Sequence, residues 1–368
     1  MVQFANDLQI RRNSMKRLWA LLLCAALLSG CAPRGAQTED DGRLRIVTTL
    51  FPYYDFARAI AGEHASVTLL LSPGREAHSF EPTPLDAVTI SRADVLVYNG
   101  GESETWVSQM LDAAGEHIGT VLCMMDCVDA QEEELVEGMQ GGAGHHHHDE
   151  ADAHDHDHAD EAAHEDEDAH EHDHADAHEH EDADAHDHDS DEIEYDEHVW
   201  TSPANAVLLC EALCEGLCAA DAAHAEDYRA NCAAYVAQLR ALDARFAALR
   251  ARAARDLLVF ADRMPLLYFC KAYDLRYRAA FHGCSTDTEP SLATLRFLID
   301  KVTEEGIPVV YTVDLDSRRI AEAVAESTGA AIDTLYSLQT ISRADFDAGE
   351  TYLTLMERNY RALERGLT

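Results

Sequence analysis

Residues 44–71 have the sequence LRIVTTLFPYYDFARAIAGEHASVTLLL, and this stretch contains the pattern that decides the fold. Leu44 to Thr49 is a short apolar, β-branched run that predicts a buried strand, and Tyr53 to Ala61 predicts a helix that Gly62 ends. Ala65 to Leu71 then predicts a second strand. This order indicates a parallel βαβ unit with both faces of its sheet covered.

The same alternation continues on both sides of a long helical stretch, which has few glycines or prolines and predicts helices to about 220 and from 222 to 252. Further strands are predicted at 94–98, 118–123, 257–260, 277–281, 309–313 and 331–335. Further helices are predicted at 84–92, 106–113, 266–273, 292–305, 318–327 and 351–365. The predicted fold class is α/β, with two Rossmann-like lobes of mainly parallel strands joined by a long rigid helix. Ligands of open parallel sheets bind beyond the carboxyl ends of the strands, so we expect the site in a cleft between the lobes.

Between Gly144 and Ser190 the chain has fifteen histidines, many acids and no lysine or arginine. Neutral imidazole is the commonest ligand for zinc, copper and nickel, and a segment without large apolar residues has nothing to offset the entropy cost of folding. We predict a disordered metal-binding loop, with auxiliary ligands at its first histidines. These are His145, His146, His147, His148, His154, His156 and His158. The alternatives are a solvated acidic linker and, for the four consecutive histidines, a cloning tag.

The formal charge of the 368 residues is −41, and residues 149–197 contain 25 of the 69 acidic residues without an opposing base. The remainder has 44 acids against 28 bases and is moderately acidic, which argues against a nucleic-acid partner.

The N-terminus predicts export. Basic residues precede the apolar run Leu18 to Leu28, which is too short for a permanent membrane span and fits a secretory signal. The sequence Leu28-Ser29-Gly30-Cys31 resembles a bacterial lipobox, with Cys31 as the lipidated residue that anchors the protein outside the cytoplasm. Translation starts at Met1 or at Met15.

These features predict six segments along the chain. They are a signal peptide at 1–31, a tether at 32–43, an N-terminal lobe at 44–140, the His/Asp/Glu-rich loop at 141–194, the end of that lobe with the connecting helix at 195–254, and a C-terminal lobe at 255–368.

Eight cysteines remain beyond Cys31, and their disulfide pairing is open. Cys210, Cys214 and Cys218 recur every four residues, so disulfides among them would close only trivial loops. The spacing favours small apolar residues on a buried helix face, and a zinc site is the weaker alternative.

Two histidines stand in distinctive local contexts. His78 lies in a loop stiffened by three prolines and a glycine, and a stiff loop suits a metal ligand because coordination costs little entropy. His198 lies in Asp196-Glu197-His198-Val199-Trp200-Thr201-Ser202-Pro203, where the histidine-rich loop ends. Taken alone, either residue would more often be a surface or helix-cap histidine.

Together these motifs resemble those of the zinc and manganese substrate-binding lipoproteins of bacterial ABC importers, the cluster A-I class. Leu71 to Pro84 is similar to the family's "PG…H…EPTP" signature, and Asp196 to Pro203 to its "D-P-H-V-W-x-x-P" signature. Tyr98-Asn99-Gly100 with Glu104 and Trp106 is similar to "YNG…E-W", and Glu289-Pro290-Ser291 to "AEPS". The resemblance covers about residues 44 to 368 and implies that His78 and His198 are metal ligands.

The sequence departs from this family in the C-terminal lobe. The family's third histidine aligns with Arg263, which cannot be deprotonated and so cannot bind zinc. The fourth ligand, often an aspartate, falls near Ser337 to Gln339, where no carboxylate stands. His282 is our candidate third ligand and Asp314 a weaker one; otherwise water or the histidine-rich loop completes the site. We expect Arg263 to pair with Asp262, Glu289 or a site carboxylate.

The resemblance implies a receptor that captures Zn²⁺ in the interlobe cleft and delivers it to a membrane permease with its ATPase, as a monomer and without enzymatic activity. The long connector should resist wide hinge opening, so metal release should depend on local loop movement. The alternatives are a surface metal buffer or chaperone that acts through the histidine-rich loop, a manganese-type binding protein, and a zinc hydrolase. No HExxH or GxSxG motif supports the hydrolase. Copper and nickel would also bind such imidazoles.

Overall fold

The computed structural model describes residues 42–77, 79–114, 118–139, 194–285 and 289–368. Leu44–Thr368 forms one compact unit in which strands and helices alternate. The strands are β1 Leu44–Thr48, β2 Ala65–Leu69, β3 Val95–Tyr98, β4 Thr120–Cys123, β5 Leu257–Phe260, β6 Arg276–Ala279, β7 Val309–Val313 and β8 Ala331–Leu335. The helices are α1 Phe51–Ala61, α2 Pro84–Ser91, α3 Trp106–Ala114, α4 Pro203–Ala220, α5 Ala225–Arg252, α6 Leu267–Ala272, α7 Leu292–Glu304, α8 Arg319–Thr328, α9 Arg343–Ala348 and α10 Tyr352–Leu367.

Each lobe contains one four-stranded parallel sheet. The strand orders are β2-β1-β3-β4 and β6-β5-β7-β8, so the two sheets have the same topology. In each sheet the order reverses between the first and the third strand of the lobe. A crevice forms at such a reversal, beyond the carboxyl ends of the strands, and this is where ligands of α/β sheets bind.

The long helices α4 and α5 connect the lobes and pack into the same core. Leu209, Leu213 and Leu217 of α4 are completely buried, as are Tyr228 and Leu239 of α5. One cluster of buried side chains extends from β1 through both connecting helices to α10. By length and composition α4 could cross a membrane, but its buried face identifies it as a core helix of this unit.

The structure confirms the predicted α/β architecture and its long connecting helix. Every predicted strand is present, and the ends of β1, β2, β3, β4 and β6 differ from the predicted ones by one or two residues. The prediction missed α9, a single short turn of helix that starts where Ser342 accepts a hydrogen bond from the backbone N–H of Asp345. Ser at an N-cap is a usual start signal, but six residues are too few to show a period.

The cysteines of α4 lie mainly in the core. Cys210 and Cys214 are buried and Cys218 is half-buried. The Cys232 thiol of α5 donates to the carbonyl oxygen of Cys210 at 3.5 Å. Burial raises the pKa of the Cys232 thiol, as expected for a cysteine that packs as a small apolar side chain.

Candidate metal site in the interlobe cleft

A cavity of about 150 Å³ lies between the two lobes. Its walls come from loops beyond the carboxyl ends of strands in both sheets and from the segment before α4. The polar residues that line it are Arg75, Glu76, His198, Arg263, Asp314, Asp316, Ser337, Gln339 and Thr340. The cleft expected from the parallel topology is therefore present, with an imidazole and three carboxylates in its walls.

His198 is the imidazole of this cavity, and its side chain is 1% exposed. Its Nδ1 lies 3.4 Å from Oδ1 of Asp196, and the same oxygen accepts the backbone N–H of His198 at 2.8 Å. Burial lowers the pKa of the imidazole and the charge of Asp196 raises it, with a net pKa above its ordinary value. A carboxylate behind one ring nitrogen is the usual support of a metal-binding histidine, because it fixes the tautomer and ring orientation.

The segment that carries His198 is held by groups from both lobes. The side-chain N–H of Asn99 donates to the carbonyl of Glu197 at 3.0 Å, and the Tyr268 hydroxyl donates to the carbonyl of Asp196 at 2.8 Å. The Trp200 indole N–H donates to the carbonyl of Ser337 at 2.7 Å. These bonds fix the backbone on both sides of the imidazole, so its position does not depend on a flexible loop.

The loop around Asn99 packs directly against the segment that carries His198. Glu104 accepts the backbone N–H groups of Asn99 and Gly100 at 2.6 and 3.0 Å, and burial raises its pKa to about 7. Gly101 has a φ of 82°, and a Cβ there would lie 2.4 Å from a carboxylate oxygen of Glu197. Glycine at 101 therefore allows the loop to approach the segment that carries His198.

His282 lies beside this cavity, and its ring contacts an acid. Its Nδ1 lies 2.5 Å from Oε2 of Glu133, and the other oxygen of that carboxylate accepts the backbone N–H of Cys284 at 3.1 Å. Gly283 does line the cavity, and a Cβ there would lie 3.3 Å from Nδ1 of His198. His282 is thus one residue from the cavity wall, and its assignment as third ligand stays a prediction.

Arg263 stands at the position where the resembling family has its third histidine. Its Nη2 donates to both carboxylate oxygens of Asp316 at 2.7 and 2.9 Å and to Glu76 at 3.3 Å. The Asp262 carboxylate accepts the backbone N–H groups of Arg263 and Val313, at 2.8 and 3.1 Å, and Glu289 pairs with Arg319 instead. Of the three predicted kinds of partner, Arg263 therefore pairs with carboxylates of the cavity wall. Because Asp316 and Glu76 belong to different lobes, the arginine joins the two lobes.

The C-terminal loops contribute Asp314 and Gln339 to the cavity wall. Asp314 accepts the backbone N–H of Ser337 at 2.7 Å, and burial raises its pKa to about 7. Leu315 and Leu338, which follow Asp314 and Ser337, both have positive φ, at 68° and 62°. Non-glycine residues in this region cost free energy and cluster at functional sites, so the two loops carry strain where they face the cleft.

Several predicted residues lie outside the described part of the chain. They are His78, Cys31 and the histidine-rich loop with His145, His146, His147, His148, His154, His156 and His158. Among the described residues, no group of three or more His, Cys, Asp or Glu side chains is arranged to hold a metal ion. A complete site would therefore need a ligand from outside these residues or a rearrangement within them.

Sequence reasoning missed three residues of this site. Asp196 supports the imidazole of His198, and Glu76 and Asp316 hold Arg263. Glu76 stands two residues before His78, and Asp316 stands two residues after Asp314, beyond a strand of the C-terminal sheet. Their position in the loops after strands was the sequence feature that could have indicated these carboxylates. Only the fold shows which of them meet.

Comparisons with known proteins find relatives along nearly the whole chain. The family profile described as "Zinc-uptake complex component A periplasmic" matches residues 46–366. The zinc-binding lipoprotein AdcA of Streptococcus pneumoniae serotype 4 is 31% identical over 353 residues, which cover 95% of this chain and 61% of AdcA. The high-affinity zinc uptake system protein ZnuA of Bacillus subtilis is 27% identical, with 95% and 97% covered. The chain thus spans about three fifths of the length of AdcA and nearly all of ZnuA.

Solved structures show the same fold. The Zn(II)-bound ZnuA-like domain of S. pneumoniae AdcA superposes with a TM-score of 0.63 at 26% identity, over 89% of this chain and 99% of that domain. The metal-dependent lipoprotein YcdH of B. subtilis gives a TM-score of 0.65 at 25% identity, over 89% and 100%. The profile match spans both lobes, the connecting helices and the cleft, and the chain therefore belongs to the ZnuA family of periplasmic zinc-uptake components.

Proposed function

We propose that this chain is the extracytoplasmic receptor of a zinc importer of the ABC type. It captures Zn²⁺ in the interlobe cleft and delivers it to a permease driven by a cytoplasmic ATPase. It makes and breaks no covalent bond in its cargo. The observation that carries the proposal is the buried His198, which lines the cleft and is backed by Asp196.

The donor chemistry of the cleft fits zinc. Zinc prefers imidazole nitrogen and a few carboxylate oxygens in a tetrahedral arrangement, and His198 with Asp314 offers one of each. His78 belongs to the loop that brings Gly74 and Glu76 into the same wall, so it is our second histidine ligand. His282 is our third, because it stands next to the wall residue Gly283.

We assign the remaining segments to export, membrane anchoring and the collection of zinc. We assign residues 1–31 to a signal peptide and Cys31 to a lipid anchor that holds the receptor at the outer face of the membrane. Residues 141–194 form an auxiliary collector, whose many weak imidazole sites raise the local zinc concentration. The described chain before and after this segment comes together in the fold, since the backbone N–H of Glu133 donates to the carbonyl of Glu194 at 2.9 Å.

Calorimetry of a variant that lacks residues 145–188 tests the cleft without the collector. This variant should retain one tight zinc site, and His78→Ala or His198→Ala should each weaken it by at least about tenfold, or 1.4 kcal/mol. A protein that acts mainly as a surface buffer would instead lose nearly all its zinc binding on deletion of the loop.

His224→Ala is the matched control. His224 also pairs with an aspartate, Asp221, at 2.7 Å, but it lies at the junction of α4 and α5 and does not line the cleft. Its replacement should leave zinc affinity unchanged. If His198→Ala has no more effect than His224→Ala, the proposed site is wrong.

A further inference from the structure

We propose that Arg263 is a specificity-determining residue, which keeps two carboxylates of the cleft from oxygen-preferring cations such as Mn²⁺. The proposal rests on the zinc-receptor function and concerns the same cleft. Its basis is the ion pairing of Arg263 with Asp316 and Glu76, side chains that come from different lobes and line one small cavity with it.

The pairing with Asp316 uses the whole carboxylate. Both oxygens accept from Nη2 of the guanidinium, and the Arg263 and Asp316 side chains are only 16% and 23% exposed. An ion pair so shielded from water is stronger than a surface pair, and an arginine in contact with both oxygens competes with a metal for that carboxylate. A metal that binds Asp316 must therefore weaken this ion pair while Arg263 stays in place.

Glu76 accepts from the same guanidinium nitrogen, Nη2, at 3.3 Å, and its side chain is 43% exposed. It lies in the loop after β2, whereas Arg263 follows β5, so this contact crosses the cleft. The guanidinium also donates to the carbonyl of Ser285 at 3.3 Å, which fixes its direction. A cation that binds Glu76 must therefore displace a positioned arginine, and it meets a fixed positive charge inside a cavity of about 150 Å³.

This cost falls unequally on different metals. Carboxylate, carbonyl and water oxygens suit Mn²⁺, whereas imidazole suits zinc. A cation held mainly by histidines needs little from Asp316 and Glu76, but an oxygen-preferring cation needs both. Arg263 thus disfavours Mn²⁺ more than Zn²⁺, although the cleft wall contains three carboxylates.

The test compares Zn²⁺ and Mn²⁺ binding by calorimetry in the variant without residues 145–188. Arg263→Met should raise Mn²⁺ affinity at least about tenfold and Zn²⁺ affinity by a smaller factor. In the double variant Arg263→Met with Asp316→Asn, most of the Mn²⁺ gain should disappear, because the released carboxylate is then absent. Arg319→Met, which removes an arginine from an exposed pair with Glu289, should change neither affinity.

An unchanged or weaker Mn²⁺ affinity in folded Arg263→Met protein would overturn the proposal. A gain that survives the Asp316→Asn change would also overturn it, since charge removal alone would then explain the effect. If Arg263→Met does not fold, Arg263→Lys keeps the charge on a single nitrogen, which cannot donate to Asp316, Glu76 and the Ser285 carbonyl as the two guanidinium nitrogens do, and it should give a smaller gain of the same sign. His198→Ala separates the two hypotheses: if it weakens zinc binding while Arg263→Met leaves Mn²⁺ unchanged, the receptor function stands and the role of Arg263 is wrong.

Discussion

Replacement of Asp196 by asparagine tests whether the cleft is built around a supported imidazole. Asparagine has nearly the shape of aspartate and keeps an oxygen that can accept the backbone N–H of His198, now bonded at 2.8 Å. What it loses is the negative charge 3.4 Å from Nδ1. That charge favours the tautomer with a proton on Nδ1 and a lone pair on Nε2, the nitrogen available to a metal.

The expected loss follows from this supporting role. Changes to the carboxylate behind a metal-binding histidine typically reduce metal affinity by about 10- to 100-fold. In free energy this is about 1.4 to 2.8 kcal/mol. Stability should change less than affinity, because the backbone bond and the packing of the buried segment remain.

The assay is zinc calorimetry in the variant without residues 145–188, with urea denaturation as the check on folding. Asp221→Asn is the matched control, because Asp221 also lies against a histidine Nδ1, that of His224 at 2.7 Å, but outside the cleft. A folded Asp196→Asn protein that binds zinc within threefold of its parent would refute the reasoning. An equal loss in Asp221→Asn would show that the effect is not specific to the cleft.

Two further substitutions test the surroundings of the site. Burial raises the pKa of Glu104 from 4.5 to about 7. Between these pH values the folded protein keeps a proton on Glu104 that the unfolded chain has released. The free energy of unfolding should therefore fall by about 3 kcal/mol as the pH rises from about 4.5 to 7. Glu104→Gln should remove that part of the dependence, and parallel stability curves for both proteins in urea denaturation at pH 5 and pH 8 would contradict it. Gly283→Ala should weaken zinc binding and cost about 1 to 3 kcal/mol of stability, because its Cβ would lie 2.9 Å from the carbonyl of Met264 and 3.0 Å from Asp196; wild-type values in calorimetry and denaturation would show that the segment moves freely.

The ends of β6 differ from the prediction because its sequence, Arg-Tyr-Arg-Ala, is not an apolar run. Most other strands are predicted well because they are short apolar runs. Such runs are set by local composition, and parallel pairing follows from the helices between them. The sequence also pointed to His198, which lines the cleft, because its motif is one continuous stretch of residues. Arg263 could be recognised as a departure from the family pattern, because aligning the helix that follows it with the family's motif shows which residue replaces the histidine.

The partners of these residues could not be predicted in the same way. Glu76 and Arg263 are far apart in the chain and meet only because two lobes face each other across the cleft. His282 pairs with Glu133, which stands on the other side of the histidine-rich loop. Side-chain direction within a loop depends on such distant contacts, and no local period records them.

The packing of the connector indicates how the cleft can open. Tyr235 of α5 donates to the buried Asp55 of α1 at 2.9 Å, and the backbone N–H of Tyr352 of α10 donates to the same carboxylate at 3.0 Å. The rings of Phe56 and Tyr352 pack at 4.9 Å between centroids, in a core that both lobes share. Rigid separation of the lobes would expose this core and break the hydrogen bonds of a buried carboxyl group, at a free-energy cost in every opening. Movement of the loop that carries Glu76 breaks its half-exposed ion pair with Arg263 and the bond from the Gly74 N–H to the Ile341 carbonyl, but it leaves the shared core covered. We therefore expect metal to enter and leave by that loop.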